Sequence, residues 1–442
     1  MNTLTKYYTY LLHDGGSEGF KKYLRNTGWS FFPRLGTLIL SFFVTIAVIR
    51  YLGPTNYGAL SYAISFVSLF GFIASLGIDQ IIYRELVSRP KEEAVIMGTS
   101  ILLKALAGTL AASLAVTIAL FLETPQIELI LISIISLSLI VSSWRNIAYI
   151  YLADVQAKYP SVISLAIAVI LAIFKVIIIF LDKGIIYFAI VQFGESILYA
   201  ILFSYFYVKH YGSIARWKFD LTVSKELLRK GFPLLLSTVS VVIYARIDQV
   251  MLRHFIDVKA VGIYDAAVRL SDVWYIIPTV LVSSLFPAIV NALTVSPQLF
   301  RARILKLSAV LAVLIVLVAL PASFFSDWII RTLYGEAFIE SAFVLKIYIW
   351  SLLGYGIGQV MFSYLIAVNK GYVYLVSTTS TMIINVVLNI LLIPKYGING
   401  AALATLISYS LLPIIPFAYK EIRVQLLTLG KKDSSSAERQ EG

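Results

Sequence analysis

Cysteine is absent from the 442-residue chain. That excludes a disulfide framework, a cysteine-ligated zinc site and a thiol nucleophile. Histidine is almost as scarce: His13, His210 and His254 are scattered and offer no metal-ligand spacing. There is no paired histidine, no Ser-His-Asp candidate and no glycine-rich loop leading into Lys-Ser/Thr. Catalysis of those kinds, ATP hydrolysis, a bound metal and a cofactor are therefore not expected, and the chain reads as a non-enzyme. Charge is also thin, at 14 % of residues, where a soluble domain carries about 25 %. What fills the chain is apolar, 59 % of it, as expected where the solvent is mostly lipid.

A membrane-crossing helix needs about 20 apolar residues, and twelve such runs are legible: 28–50, 57–80, 95–122, 127–150, 161–181, 185–208, 231–254, 262–291, 303–325, 340–368, 371–393 and 399–420. Residues 1–27 hold no apolar run long enough for a signal peptide and read as an interfacial, cytoplasmic segment. Residues 421–442 form a polar cytoplasmic tail, disordered in composition from Leu429. The net charge of +12 raises nucleic acid as a partner. The basic residues instead cluster in alternate connectors, including Arg84, Arg89 and Lys91 in the second and Arg216, Lys218, Lys225, Arg229 and Lys230 in the sixth. By the positive-inside rule both termini face the cytoplasm, in the cytoplasmic membrane, and no nucleic acid is implied. The basic connector 209–230 divides the chain into lobes at 28–208 and 231–420.

The halves look like copies. Tyr151-Leu152, Val155, Tyr159, Ser164, Gly184-Ile185 and Ala189 recur 213 positions later as Tyr364-Leu365, Val368, Tyr372, Ser377, Gly397-Ile398 and Ala402. Two six-helix lobes related by a pseudo-two-fold axis along the membrane normal are the plan of a secondary transporter with its site between the repeats. The expected fold is thus an all-α integral membrane protein of about twelve helices.

Charges inside the spans locate the candidate site, because a charge at mid-membrane costs about 2.5–3.5 kcal/mol on insertion scales. Arg246 and Asp248 lie in one span; Asp265, Arg269 and Asp272 lie in the next, at i, i+4 and i+7, hence on one helix face. Arg34, Lys104, Arg145, Lys175 and Lys346 are further intramembrane cations, and Asp79 and Glu195 further acids. Cations prevail, so the chamber they line favours an anionic guest, and phosphate suits arginine's two-pronged grip. The expected substrate ligands are Arg246, Arg269, Lys104, Arg145, Lys175 and Arg34. Asp248, Asp265 and Glu195 are the expected ion-coupling groups. The alternative for each is structural: ion pairs tying helices together, Lys175 with Glu195 among them, or snorkelling for Arg34 and Lys346. Pro33 and Pro233 sit near the starts of their helices, where proline is tolerated. They read either as a bend that lets each half rock or as simple helix starts, the latter favoured for Pro233. Pro278, Pro287 and Pro321 are the better kink candidates, and Gly354, Gly356 and Gly358 read as a close-packing surface.

The run Arg50-Tyr51-Leu52-Gly53-Pro54-Thr55-Asn56-Tyr57-Gly58, with Leu76-Gly77-Ile78-Asp79 and Arg84-Glu85, resembles the first third of the Wzx-type polysaccharide and O-antigen flippases of the multidrug/oligosaccharidyl-lipid/polysaccharide superfamily. Asp248-Gln249-Val250-Met251-Leu252, Val261-Gly262-Ile263-Tyr264, Phe286-Pro287 and Pro394-Lys395-Tyr396-Gly397-Ile398-Asn399-Gly400 are similar too. The resemblance spans residues 28–420. It implies a cationic lumen, alternating access and transfer of a polyprenyl-diphosphate-linked oligosaccharide, as in lipopolysaccharide assembly. Membrane lipids and polysaccharide polymerase or chain-length proteins are the implied partners. A drug/cation antiporter of the same superfamily and a non-transporting scaffold of a glycan assembly complex are the rival readings; the first is opposed by the sign of the intramembrane charge, the second by the charges being buried at all.

Overall fold

In the computed structural model the described residues are 18–424, all helix, turn and loop with no strand among them. The amino-terminal arm before residue 18 and the tail from 425 lie outside the described residues. The helices are α1 (Glu18–Ser68), α2 (Gly71–Ser75), α3 (Asp79–Ser88), α4 (Glu93–Phe121), α5 (Gln126–Val141), α6 (Ile147–Ala153), α7 (Lys158–Phe180), α8 (Ile185–Tyr211), α9 (Leu221–Phe255), α10 (Val258–Asp272), α11 (Ile276–Val295), α12 (Pro297–Phe324), α13 (Ser326–Leu333), α14 (Ser341–Tyr348), α15 (Ser351–Ala367), α16 (Gly371–Leu411) and α17 (Lys420–Arg423). Among the described residues, nine helical stretches are long and apolar enough to cross a membrane, or ten with the bent pair Leu221–Leu236 and Thr238–Phe255. The chain is an all-α, multi-pass membrane protein.

Two elements account for the gap between ten and the expected twelve. Helix α1 runs through Gly53, which leaves helical geometry at φ 68°, ψ 173°. Helix α16 runs through Gly397 at φ 60°, ψ −138°. Each glycine takes a left-handed φ that a side chain disfavours, so one long element holds two of the runs read separately in the sequence. Conversely, the run 57–80 is broken. Helix stops at Ser68, Leu76 and Gly77 take φ of 54° and 66°, and α3 begins at Asp79. Asp79 therefore opens a helix rather than sitting inside a span. A Cβ on Gly77 would stand 2.6 Å from the Gly231 carbonyl oxygen, so the backbones touch there.

Pro33 and Pro233 lie inside helices rather than at their starts. Helix α9 starts at Leu221, so Pro233 is interior, and the helix bends by 44° between Leu236 and Thr238. Pro33 likewise falls within α1. A proline inside a helix removes one backbone hydrogen bond and kinks it. At Gly354, a Cβ would lie 2.4 Å from the Tyr409 carbonyl oxygen; this glycine is the close contact of α15 with α16.

Among the described residues, those up to Val48 with Phe70–Leu235 form one compact unit, and Ile49–Leu69 with the residues from Leu236 form the other. The division of contacts is thus not the division of the sequence at 209–230: a segment from the first half packs with the second. The first unit is cored by Ile82, Ile96, Met97, Tyr151 and Tyr207, the second by Leu311, Ile315, Val360, Tyr364 and Val373. The basic connector belongs to the first unit and is pinned there. The Trp217 indole donates to the Tyr207 hydroxyl (2.8 Å), the Asp220 amide to Thr99 Oγ1 (3.0 Å) and the Lys218 amide to the Ala94 carbonyl (3.2 Å).

Candidate functional site

Within the second unit, the end of α1 crosses α10 at two glycines. A Cβ on Gly58 would fall 1.9 Å from the Val258 carbonyl oxygen, and one on Gly262 would fall 2.0 Å from that of Pro54. Only glycine at both positions lets the backbones meet, and that contact sets what lies one turn further along. Tyr57 and Ser61 each donate a hydroxyl to Asp265 Oδ2, both at 2.5 Å. Gln249 Nε2 reaches Oδ1 at 2.8 Å, and Arg269 Nε reaches Oδ2 at 3.2 Å. Asp265 is fully buried. Four donors, one of them charged, offset the cost of taking its carboxylate out of water. Asp265 is an anchored anion.

Asp248, also buried, accepts the Tyr264 phenol and the Gln249 amide (2.8 Å). Tyr264 and Asp265 are neighbours on α10, so the helix is polar on two sides at once. It is otherwise enclosed: every residue from Ala260 to Val268 is buried. Ser65 donates to Gln249 Oε1 and completes the network.

The arginines are less committed than the carboxylates. Arg269 spends only Nε on Asp265, and its side chain is 32 % exposed. Its two Nη groups make no hydrogen bond among the described residues. Arg246, half-buried on α9, forms no hydrogen bond or ion pair among the described residues, yet lies within electrostatic reach of Asp248, Asp265 and Asp272.

The first unit holds the other expected residues, in two places. Lys104 is buried and committed: its Nζ pairs with Asp79 Oδ1 (2.7 Å) and bonds Asn146 Oδ1 (2.9 Å). It lines a cavity of about 330 Å³ with Arg145, Ser142 and Tyr149. Arg145 lies 3.6 Å from Glu195 and stacks its guanidinium on the Tyr199 ring, 4.1 Å from the centroid. Glu195 and Lys175 share a second cavity of about 110 Å³ with Thr37, Ser41, Ser164 and Tyr199. Arg34 is exposed on α1. The structure therefore ties Asp248, Asp265 and Arg269 into one network with Arg246 within electrostatic reach of it, and sets Arg145, Lys175 and Glu195 around a second cavity.

Sequence reasoning missed the neutral half of the first network as a site: Tyr57, Ser61, Ser65, Gln249 and Tyr264. A signal was present. Tyr57, Ser61 and Ser65 are spaced i, i+4 and i+8, a hydroxyl stripe on one helix face.

The sequence model of the family described as polysaccharide biosynthesis protein matches residues 23–293, a stretch that contains the whole of this network. A probable low-salt glycan biosynthesis flippase of Haloferax volcanii is 25 % identical over 180 residues, 40 % of this chain and 38 % of that protein. A probable flippase of the same organism is 28 % identical over 176 residues, 38 % of this chain and 36 % of that protein. The chain thus spans little more than a third of the length of these curated relatives. Among solved structures, a multidrug resistance MATE family transporter of the MOP superfamily superposes with TM-score 0.74 at 13 % identity, over 89 % of this chain and 96 % of that one. The lipid II flippase MurJ superposes with TM-score 0.70 at 19 % identity, over 89 % and 87 %. At such identities the likeness is one of fold.

Proposed function

Because the chain belongs to the polysaccharide biosynthesis protein family, we propose that it is a flippase for a lipid-linked oligosaccharide, gripping the anionic diphosphate linkage with Arg246 and Arg269. The observation that carries this reading is the asymmetry of the network: its central carboxylate is saturated with donors while its arginines keep donors to spare. A guanidinium with free Nη groups binds a phosphate oxygen pair through two parallel hydrogen bonds. Arg145 and Lys175 in the first unit are proposed as further contacts to the anionic or hydroxyl-rich parts of the same molecule. Lys104, held by Asp79 and Asn146, acts through the shape of its cavity rather than as a ligand.

The proposed route is from the cytoplasmic to the outer leaflet of the cytoplasmic membrane by alternating access, with both termini inside. Coupling to an ion falls to Asp248 or Glu195 in this scheme. Asp265, as an anchored anion, is instead a positioning residue. Polysaccharide polymerase or chain-length proteins, as in O-antigen and lipopolysaccharide assembly, are the proposed partners downstream. Expression in a strain lacking its lipid-linked oligosaccharide flippase tests the reading. Restored glycan and loss of the accumulated lipid-linked intermediate are expected. Continued accumulation at normal protein levels, with resistance to organic cations gained, would select the antiporter reading.

A further inference from the structure

The charges within electrostatic reach of one another in this network do not balance. Two arginines, Arg246 and Arg269, face three carboxylates, Asp248, Asp265 and Asp272. The three acids are unequal. Asp265 accepts four hydrogen bonds and Asp248 two. Asp272, the last residue of α10, accepts none among the described residues and is half-buried. Its charged neighbours are Arg269, one turn back on its own helix, Arg246 on α9 and Asp265. The phenols around it are Tyr275 in the turn that follows, Tyr348 of α14 and Tyr409 of α16. The excess negative charge therefore rests on the carboxylate with least support. It sits in the field of the same two guanidinium groups that have donors to spare.

We propose that Asp272 competes with the substrate's diphosphate for Arg246 and Arg269, and that it takes up one proton when the diphosphate binds. This rests on the function proposed above. With the site empty, ionised Asp272 neutralises part of the arginine charge. An arriving diphosphate brings two further negative charges into the same field. One proton from solvent then converts Asp272 from carboxylate to carboxylic acid; no other bond changes, and the linkage stays ionised. On release the proton returns to solvent. If the two events face opposite sides of the membrane, one proton crosses with each anion, and Asp272 rather than Asp248 or Glu195 carries the coupled ion. Asp265 is unsuited to this part, because a proton on it would compete with its four donors and remove the negative charge that Arg269 pairs with.

The test uses the whole protein in nanodiscs of neutral lipid and a short polyprenyl-diphosphate monosaccharide. That linkage has an ester on each phosphate, so the probe itself does not titrate near neutrality. Wild-type affinity should fall by about a hundredfold from about pH 5 to about pH 9, within the span usual for coupled sites. Calorimetry in two buffers of different ionisation enthalpy should count close to one proton, about 0.8, taken up per probe bound at the pH midway through that fall. Asp272→Asn should bind at every pH as tightly as the wild type does in acid and take up none; Asp272→Glu should restore the dependence. A wild type that binds the probe with no proton uptake overturns the proposal and leaves the flippase reading standing, as does Asp272→Asn with unaltered pH dependence. If Asp272→Asn does not fold, the wild-type proton count decides alone. A wild type that binds an organic cation but never the probe overturns both.

Discussion

At the scale of single residues, the structure separates two kinds of buried charge that look alike in the sequence. Arg246 breaks no hydrogen bond on removal, so Arg246→Ala is expected to express and fold nearly as the wild type while transport falls to background. Arg246→Lys should keep a fraction, since lysine retains the charge and loses the two-pronged geometry; single-time-point accumulation of lipid-linked intermediate in cells reads both. Asp265→Asn has the opposite expectation. It leaves Arg269 without its carboxylate in a buried site, at a cost of about 3–5 kcal/mol, visible as lowered thermal stability in detergent. Tyr57→Phe removes one of four donors and should cost about 1–3 kcal/mol. A stable Asp265→Asn protein would contradict the anchoring role. The charges were legible because ionised groups stand out in apolar runs. Their partners were not. Tyr57 and Ser61 lie 208 and 204 positions from Asp265, and hydroxyls are common in membrane helices. Nothing local marks which one meets a carboxylate.

At the scale of elements, glycine and helix ends decide the geometry. Gly58→Ala or Gly262→Ala places a methyl group 1.9 or 2.0 Å from a carbonyl oxygen of the facing helix, so the helices must separate and Asp265 must lose Tyr57 or Ser61. Each variant is expected to match Asp265→Asn in stability loss, read as lowered thermal stability in detergent. The long helices themselves were legible from length and apolarity. Their joins were not, because Gly53 and Gly397 let helix continue through positions that read as connectors. The connector to α9 carries a pH-dependent lock. Glu85, outside the spans, is buried, which raises its affinity for a proton; hydrogen bonds from Lys230 (2.8 Å) and Arg89 (2.8 Å) outweigh this and hold it below the ordinary carboxylate range. A depressed folded value means that the stabilisation is complete above the unfolded value of about 4.3 and is lost as pH falls through the folded one. Thermal stability should therefore drop on acidification below that point, and Glu85→Gln should flatten the drop. The same slope in both proteins would place the acid sensitivity elsewhere.

At the scale of the whole molecule, the repeat read from the sequence has a physical counterpart within each unit. Tyr151 and Tyr364 are both fully buried, as are Ala189 and Ala402. Within three residues of each tyrosine the helix ends, at Ala153 and Ala367, and a left-handed φ follows two residues on, at Val155 (57°) and Asn369 (56°), one position out of the repeat's register. The grouping of Ile49–Leu69 with the second unit was not legible, because it depends on the Gly58–Gly262 crossing rather than on any local pattern. The orientation expected from the basic connectors is open to direct test in a cysteine-free chain. A single cysteine at position 218 should resist an impermeant thiol reagent added to intact cells and react in permeabilised ones; labelling from outside would reverse the topology.

The central claim is that this chain moves an anionic lipid-linked saccharide and uses Arg246 to hold it. Reconstitution into liposomes with a fluorescent polyprenyl-diphosphate oligosaccharide measures that claim most directly, scored by quenching of the outer-leaflet probe over time. The wild type should make the inner-leaflet pool accessible well above the rate in protein-free vesicles, and Arg246→Ala, equally folded and equally incorporated, should not. Wild-type vesicles no faster than protein-free ones, or an Arg246→Ala protein as fast as the wild type, would contradict it.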